Sequence, residues 1–220
     1  MIIAIDGPAA SGKGTLARRL AKYFGLAYLD TGLIYRAVGV KTLHGGCEPN
    51  DAASAIVAAE SLTPADLAQE DLRGEAAASA ASKVAAVPGV RSALLVFQRQ
   101  FAATLPGAVL DGRDIGTVIC PDADAKLYLL ASAEVRAARR VEELRCRGED
   151  AIYTAVLRDL RARDERDSGR DIAPLQPAMD AIRINTDDLD ADQVFEIAVE
   201  AVGQMAGDRK VETAEAADRT

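Results

Sequence analysis

Residues 2–15 read Ile2-Ile3-Ala4-Ile5-Asp6-Gly7-Pro8-Ala9-Ala10-Ser11-Gly12-Lys13-Gly14-Thr15. The apolar run 2–5 has the composition of a buried strand, and residues 16–23 return to helical spacing with apolar positions facing one side. A strand, a glycine-rich turn and a helix are the context in which such a loop cradles phosphate. Gly7 and Gly12 open backbone angles closed to residues with a β-carbon and let the main chain approach an anion. The helix N-terminus adds partial positive charge, and Lys13 adds a full one. Gly7, Pro8, Ala9, Ala10, Ser11, Gly12, Lys13, Gly14 and Thr15 are therefore the expected loop for nucleotide phosphates, with Lys13 as its cation. The usual Ser/Thr after the lysine is replaced by Gly14, and Thr15 follows one step later. Thr15 is thus a candidate Mg²⁺ ligand displaced from the standard position.

Outward from this loop the chain reads as an α/β protein. Short apolar runs at 2–6, 26–30, 108–111, 126–131 and 181–185 alternate with helical stretches, which predicts a five-stranded parallel sheet covered by helices. Three of these runs end at Asp6, Asp30 and Asp111, and ligands bind at the carboxyl ends of strands in open α/β sheets. About eighty residues separate the second and third runs, too many for a simple crossover. Residues 48–75 are alanine-rich and punctuated by Pro49, Pro64 and Gly74, so a small insert is expected there. Helices are expected at 75–87, 90–105, 133–147, 151–167 and 195–205, with a polar, flexible tail at 206–220.

Composition narrows the function. The net charge of −8 disfavours a nucleic-acid surface, which wants clustered positive charge. No apolar stretch approaches the roughly 20 residues that span a bilayer. Met1 runs directly into the first strand, as expected of a cytoplasmic protein without a signal peptide. Cys47, Cys120 and Cys146 lack metal-ligand spacing. His44, the only histidine, falls in what reads as a glycine loop, so histidine-based catalysis is not expected.

Three further segments carry chemistry. Asp30-Thr31-Gly32-Leu33-Ile34-Tyr35-Arg36 follows the second strand; Thr31 can cap a helix while Arg36 lies one turn on, a second anion site. Asp111-Gly112-Arg113-Asp114-Ile115-Gly116-Thr117 follows the third strand, and Asp111 is placed to hold Mg²⁺ directly or through water, with Arg113 on phosphate. Residues 158–170 hold five arginines, among which Arg163 and Arg170 share a helical face with Asp167. Charge pattern alone makes that strip a solvated face, whereas the Ser168-Gly169 hinge suits a mobile arginine lid.

Taken together these motifs resemble the bacterial cytidylate kinases, within the P-loop nucleoside monophosphate kinase class that the Gly-Lys-Gly-Thr variant also suggests. The likeness runs from Met1 to about Val202 and is most specific at residues 111–118 with Pro121-Asp122-Ala123, and at 163–170 with Ala173-Pro174-Leu175. Residues 66–75 match weakly. The resemblance implies a P-loop kinase core at 1–40 and 84–205, a nucleoside-monophosphate-binding insert at 41–83 and a short arginine-rich lid at 154–172. It implies ATP binding by Gly7–Thr15 and transfer of the ATP γ-phosphoryl group to CMP or dCMP, with Mg²⁺; a monomer is expected. It further implies that Thr31, where many relatives have Ser, holds the acceptor phosphate with Arg36, Arg113 and Arg170. Arg163 and Asp167 would contact the ribose, and Ser82, Arg91 and Asp114 the cytosine. Arg113, Arg163 and Arg170 join Lys13 as the expected catalytic cations. A kinase for another small acceptor, a GTPase and a non-catalytic nucleotide-binding module were the competing readings; the Asn-Lys-x-Asp guanine motif of the GTPase does not begin at Asn50 or Asn185.

Overall fold

The computed structural model describes residues 1–217. The elements run β1 (Ile2–Asp6), α1 (Lys13–Phe24), β2 (Ala27–Asp30), α2 (Thr31–His44), α3 (Ala52–Glu60), α4 (Pro64–Leu67) and a 3₁₀ turn (Glu70–Arg73). They continue with α5 (Glu75–Val84), α6 (Pro88–Ala102), β3 (Ala108–Gly112), a π-turn (Ile115–Ile119), β4 (Ala125–Leu130), α7 (Ala133–Cys146), α8 (Tyr153–Ser168), β5 (Ile182–Asn185) and α9 (Ala191–Ala217).

All strand pairs are parallel, in the order β2-β3-β1-β4-β5, so the phosphate-binding loop leaves the central strand. Successive strand residues face opposite sides. Ile3, Ile5, Val109, Leu127 and Leu129 pack with Leu16 and Leu20 of α1 and Val194, Ala198 and Val202 of α9. Ala4, Ala108 and Leu110 turn the other way, towards Ala102 of α6 and Ile115 and Ile119 of the π-turn. This makes three layers, helix on sheet on helix. Among the described residues no single helix is long and apolar enough to cross a membrane.

Among the described residues the 48–75 region has no hydrophobic centre to itself. Ala55, Ala58 and Ala59 of α3 and Ala81 and Val84 of α5 pack with Ile34, Tyr35 and Val38 of α2 and Val90 and Leu94 of α6. Leu72 and Ala77 join Ala37 and Val40 of α2 in a second cluster. The expected boundary at residue 41 therefore falls inside α2, whose apolar face the insert covers.

Two local expectations are corrected. His44 is the last residue of α2 rather than a loop residue, and its Nε2 lies 3.3 Å from Asp71 Oδ2. The last helix, expected to give way to a polar tail at 206, runs on to Ala217. The rest of that tail, 218–220, lies outside the described residues.

Candidate active site

Gly7 follows β1 at φ +149°, and a β-carbon there would lie 2.4 Å from the Leu129 carbonyl oxygen, so only glycine fits. Gly12 caps α1 in the left-handed region at φ 90°. Ala10 also holds a positive φ of 59°, the kind of backbone strain that functional loops keep. The loop thus aims the N-terminus of α1, with its unpaired amides, at one spot. Lys13 is buried there and donates to the Pro8 carbonyl at 2.9 Å. Burial, followed by the Arg113 charge, lowers its pKa from the ordinary lysine value. An incoming polyphosphate would reverse that shift.

One cleft of about 1120 Å³ brings the expected residues together. Residues 9–15 of the loop line it, and Gly7 and Pro8 do not. Thr31, Arg36, Ser82 and Arg91 reach it from α2, α5 and α6, and Asp111, Arg113 and Asp114 from the end of β3. Arg163, Asp167 and Arg170 close it from α8 and just beyond.

On the far wall Asp167 is nearly inaccessible and gathers cations. Its Oδ2 accepts from Arg113 Nε at 3.0 Å, with Arg163 Nε 3.8 Å away, and its Oδ1 pairs with Arg170. Ser82 of α5 donates to the same carboxylate at 3.2 Å, which ties α8 to the insert. Burial raises the Asp167 pKa, but the three arginines overcome it and hold the carboxyl well below the usual carboxylate range. Buried Nε atoms of Arg36, Arg163 and Arg170 have no hydrogen-bond partner among the described residues. Unpaired buried donors are costly, and here they cluster beside a cleft that an anion can enter.

Asp114 pairs with Arg91, both buried, and the Arg91 guanidinium lies 5.6 Å from the Tyr35 ring centroid. The five-arginine strip divides. Arg163, Arg166 and Arg170 line the cleft, whereas Arg158 and Arg161 are exposed and do not, pairing with Asp159 at the cleft edge and with Glu134. Part of the strip is thus the solvated face that charge pattern alone suggests.

Thr31 does not cap α2. Asp30 does, accepting from Leu33 N at 3.1 Å, while the Thr31 hydroxyl donates to the Asp111 carbonyl at 2.7 Å. The cause is sheet pairing: β2–β3 register sets Asp30 beside Asp111 and brings Thr31 onto the β3 backbone. Residues not singled out from sequence also line the cleft, notably Tyr28, which donates to Asp111 Oδ1 at 3.1 Å, and Arg139 and Arg140 of α7. Arg136 of α7 supports the loop from behind, donating to the Ala9 carbonyl at 3.2 Å and pairing with Asp164. Nothing local in the sequence distinguishes these arginines from ordinary helix-surface charge.

A family model for cytidylate kinase matches residues 3–204. The chain belongs to the cytidylate kinase family. It is 62% identical to a cytidylate kinase of Paramagnetospirillum magneticum over 92% of this chain and 97% of that protein. To the one of Rhodospirillum rubrum it is 55% identical, over 94% and 99%. Among solved structures a gluconokinase from Sinorhizobium meliloti superimposes with a TM-score of 0.55 at 13% identity, covering 96% of this chain and 95% of that one. That likeness supports the α/β kinase fold and nothing finer.

Proposed function

We infer that this cytidylate kinase family member transfers the γ-phosphoryl group of ATP to the 5′-phosphate of CMP or dCMP, giving ADP and CDP or dCDP. The observation that carries the reading is one cleft with a glycine loop and lysine on one side and an arginine cluster with unspent donors on the other. The donor phosphates belong on loop residues 7–15 and the acceptor phosphate among Thr31, Arg36, Arg113 and Arg170. Arg163 and Asp167 then take the ribose, and Ser82, Arg91 and Asp114 the base.

In the transfer an oxygen of the acceptor 5′-phosphate forms a bond to the γ-phosphorus as the bond to the β-bridging oxygen breaks, leaving ADP. A phosphate with a second pKa of about 6 is already anionic at neutral pH, so no general base is needed. Lys13, Arg113, Arg163 and Arg170 align the groups and neutralise developing charge. Closure of the lid, 154–172, and the insert, 41–83, excludes water that would otherwise take the phosphoryl group.

The residues fit a magnesium ion that arrives with ATP. Burial and the charge of Asp30 raise the Asp111 pKa, a strain a divalent cation relieves. No cluster of three or more acidic, His or Cys side chains able to hold a metal occurs among the described residues, which suits an ion that keeps several waters. Asp111, directly or through water, and Thr15 would hold it. When bound, Mg²⁺ neutralises charge on the β- and γ-phosphate oxygens.

The net charge of −8 disfavours binding to nucleic acid or to an anionic membrane surface, and we take the protein to act as a cytoplasmic monomer. The test is ADP release with CMP, dCMP, UMP, AMP and no acceptor, for the wild type and Asp114→Asn. Cytosine offers an N4 amino donor where uracil offers an O4 acceptor, so a carboxylate at 114 accepts from the first and opposes the second. Such mismatches discriminate by up to about 10⁴. The variant, whose amide can donate as well as accept, should lose CMP efficiency and narrow the gap to UMP. An unchanged CMP:UMP ratio would remove Asp114 from base reading.

A further inference from the structure

Asp6 is the last residue of β1, only 4% exposed, and the transfer chemistry makes no use of it. Both its carboxylate oxygens are occupied: Oδ1 accepts from Ile115 N and Oδ2 from Gly116 N, each at 2.8 Å. These two amides are the first of the π-turn Ile115–Ile119. The residue before the turn is Asp114.

An aspartate at the start of a helical turn ordinarily folds back and accepts from an amide of the first turn. Asp114 makes no such bond. Its carboxylate points instead to Arg91, at the cleft wall. One of the amides it would otherwise serve, Gly116 N, is taken together with the first amide of the turn, Ile115 N, by a carboxylate more than a hundred residues away in sequence. We propose that Asp6 is a positioning residue for the acceptor-base site: by capping the π-turn in place of Asp114, it frees the Asp114 carboxylate to face the acceptor base. The proposal rests on the base-reading role given to Asp114 above.

The arrangement has an energetic cost that a purely structural contact would not need. Burial pushes the Asp6 carboxyl up to about 7 against the pull of its two amide bonds, and the Asp114 charge adds to the rise. Two like charges are kept close, where an apolar side chain at position 6 with a local cap by Asp114 would avoid the repulsion. The adjoining residue, Gly7, opens the ATP loop, so the same stretch of chain fixes the donor loop by its backbone and the acceptor loop by a side chain. Gly116 belongs to the device as well: a β-carbon there would sit 3.4 Å from Asp6 Oδ2 and 3.2 Å from Lys126 Cδ.

The test is Asp6→Asn, which keeps the shape but presents an NH₂ to one of the two amides. With one capping bond lost, Asp114 should turn back to cap the π-turn. The ratio of CMP to UMP specificity constants should fall about tenfold, while ATP affinity, measured by direct titration without acceptor, stays within about twofold. That ratio does not depend on how much of the sample is folded. If activity falls equally for CMP and UMP and the ratio holds, Asp6 is a structural contact and the proposal is overturned. Should Asp6→Asn not fold, Asp6→Ser decides in its place, since its hydroxyl can accept from at most one of the two amides. A lowered ratio supports the proposal and an unchanged one overturns it. A wild type without preference for CMP over UMP would instead defeat the base-reading assignment itself.

Discussion

On the proposed assignment, the two walls of the cleft handle phosphate by opposite means. The ATP side is nine consecutive residues, 7–15, that present a helix N-terminus and one buried lysine. The acceptor side is assembled from α2, α5, α6, the end of β3 and α8, and works through arginine side chains. Lysine tolerates burial by giving up charge, which burial and Arg113 already encourage at Lys13. Arginine does not deprotonate, so Arg113, Arg163 and Arg170 need a counter-charge, and Asp167 supplies it. The donor wall is set by its backbone; the acceptor wall holds mutual repulsion that a carboxylate balances and a phosphate can relieve further.

Removing the lysine should have the largest effect. Lys13→Ala is expected to lower kcat by about 10²–10³, the cost of one electrostatic donor to the transition state, with the circular dichroism spectrum unchanged. Next is Asp167→Asn, which leaves three arginines facing one another. A loss of about 3 kcal/mol is expected in urea unfolding at neutral pH. Because the folded carboxyl sits well below its unfolded value, the wild-type advantage is complete above pH ~4 and is lost as pH falls through the folded pKa. The stability difference should therefore be flat from about pH 8 to 5 and shrink in acid. An advantage that instead grew in acid would show that Asp167 is not the counter-charge.

Arg170→Ala should lower the CMP specificity constant about 10–100-fold and leave ATP affinity nearly unmoved. If the acceptor wall were only a solvated face, the change would stay within a factor of about two. The smallest effect belongs to Arg158→Ala, on α8 ahead of Arg170 but 77% exposed at its side chain and paired with Asp159. Its CMP kinetics should match the wild type, and its stability should change by less than about 0.5 kcal/mol. Equal losses for Arg158 and Arg170 would erase the distinction between the inner and outer arginines.

The same contrast explains what was legible in the sequence. The donor loop is local, so its glycines, lysine and flanking periodicity identify it without tertiary information. The five strands were legible to within a residue or so because each is a short apolar run between helices. Of the residues assigned to the acceptor, Thr31, Arg36 and Arg113 were legible as anion ligands from their local segments, whereas Ser82, Arg91, Asp114 and Asp167 entered only through family resemblance, since their surroundings lie in pairs such as Arg113 with Asp167 and Ser82 with Asp167. Where adjacency in the sheet decides, local rules fail. Thr31 looks like a cap, but β3 draws its hydroxyl away and Asp30 caps instead. Asp6 looks like a strand end, and only the fold reveals the two amides it holds.

The shared packing of α2, α3, α5 and α6 sets limits on how this kinase can be recombined. A chimaera that exchanges only residues 41–83 would cut α2 and leave Ile34, Tyr35 and Val38 facing helices they were not matched to. The exchangeable cassette runs from the start of α2 to the end of α6, Thr31 to Ala102. It carries Thr31, Arg36, Ser82 and Arg91 with it and leaves Asp114 and the α8 arginines behind. Grafting that cassette from a relative with another base preference would transfer half of the acceptor wall as a unit, with the seam running between Arg91 and Asp114.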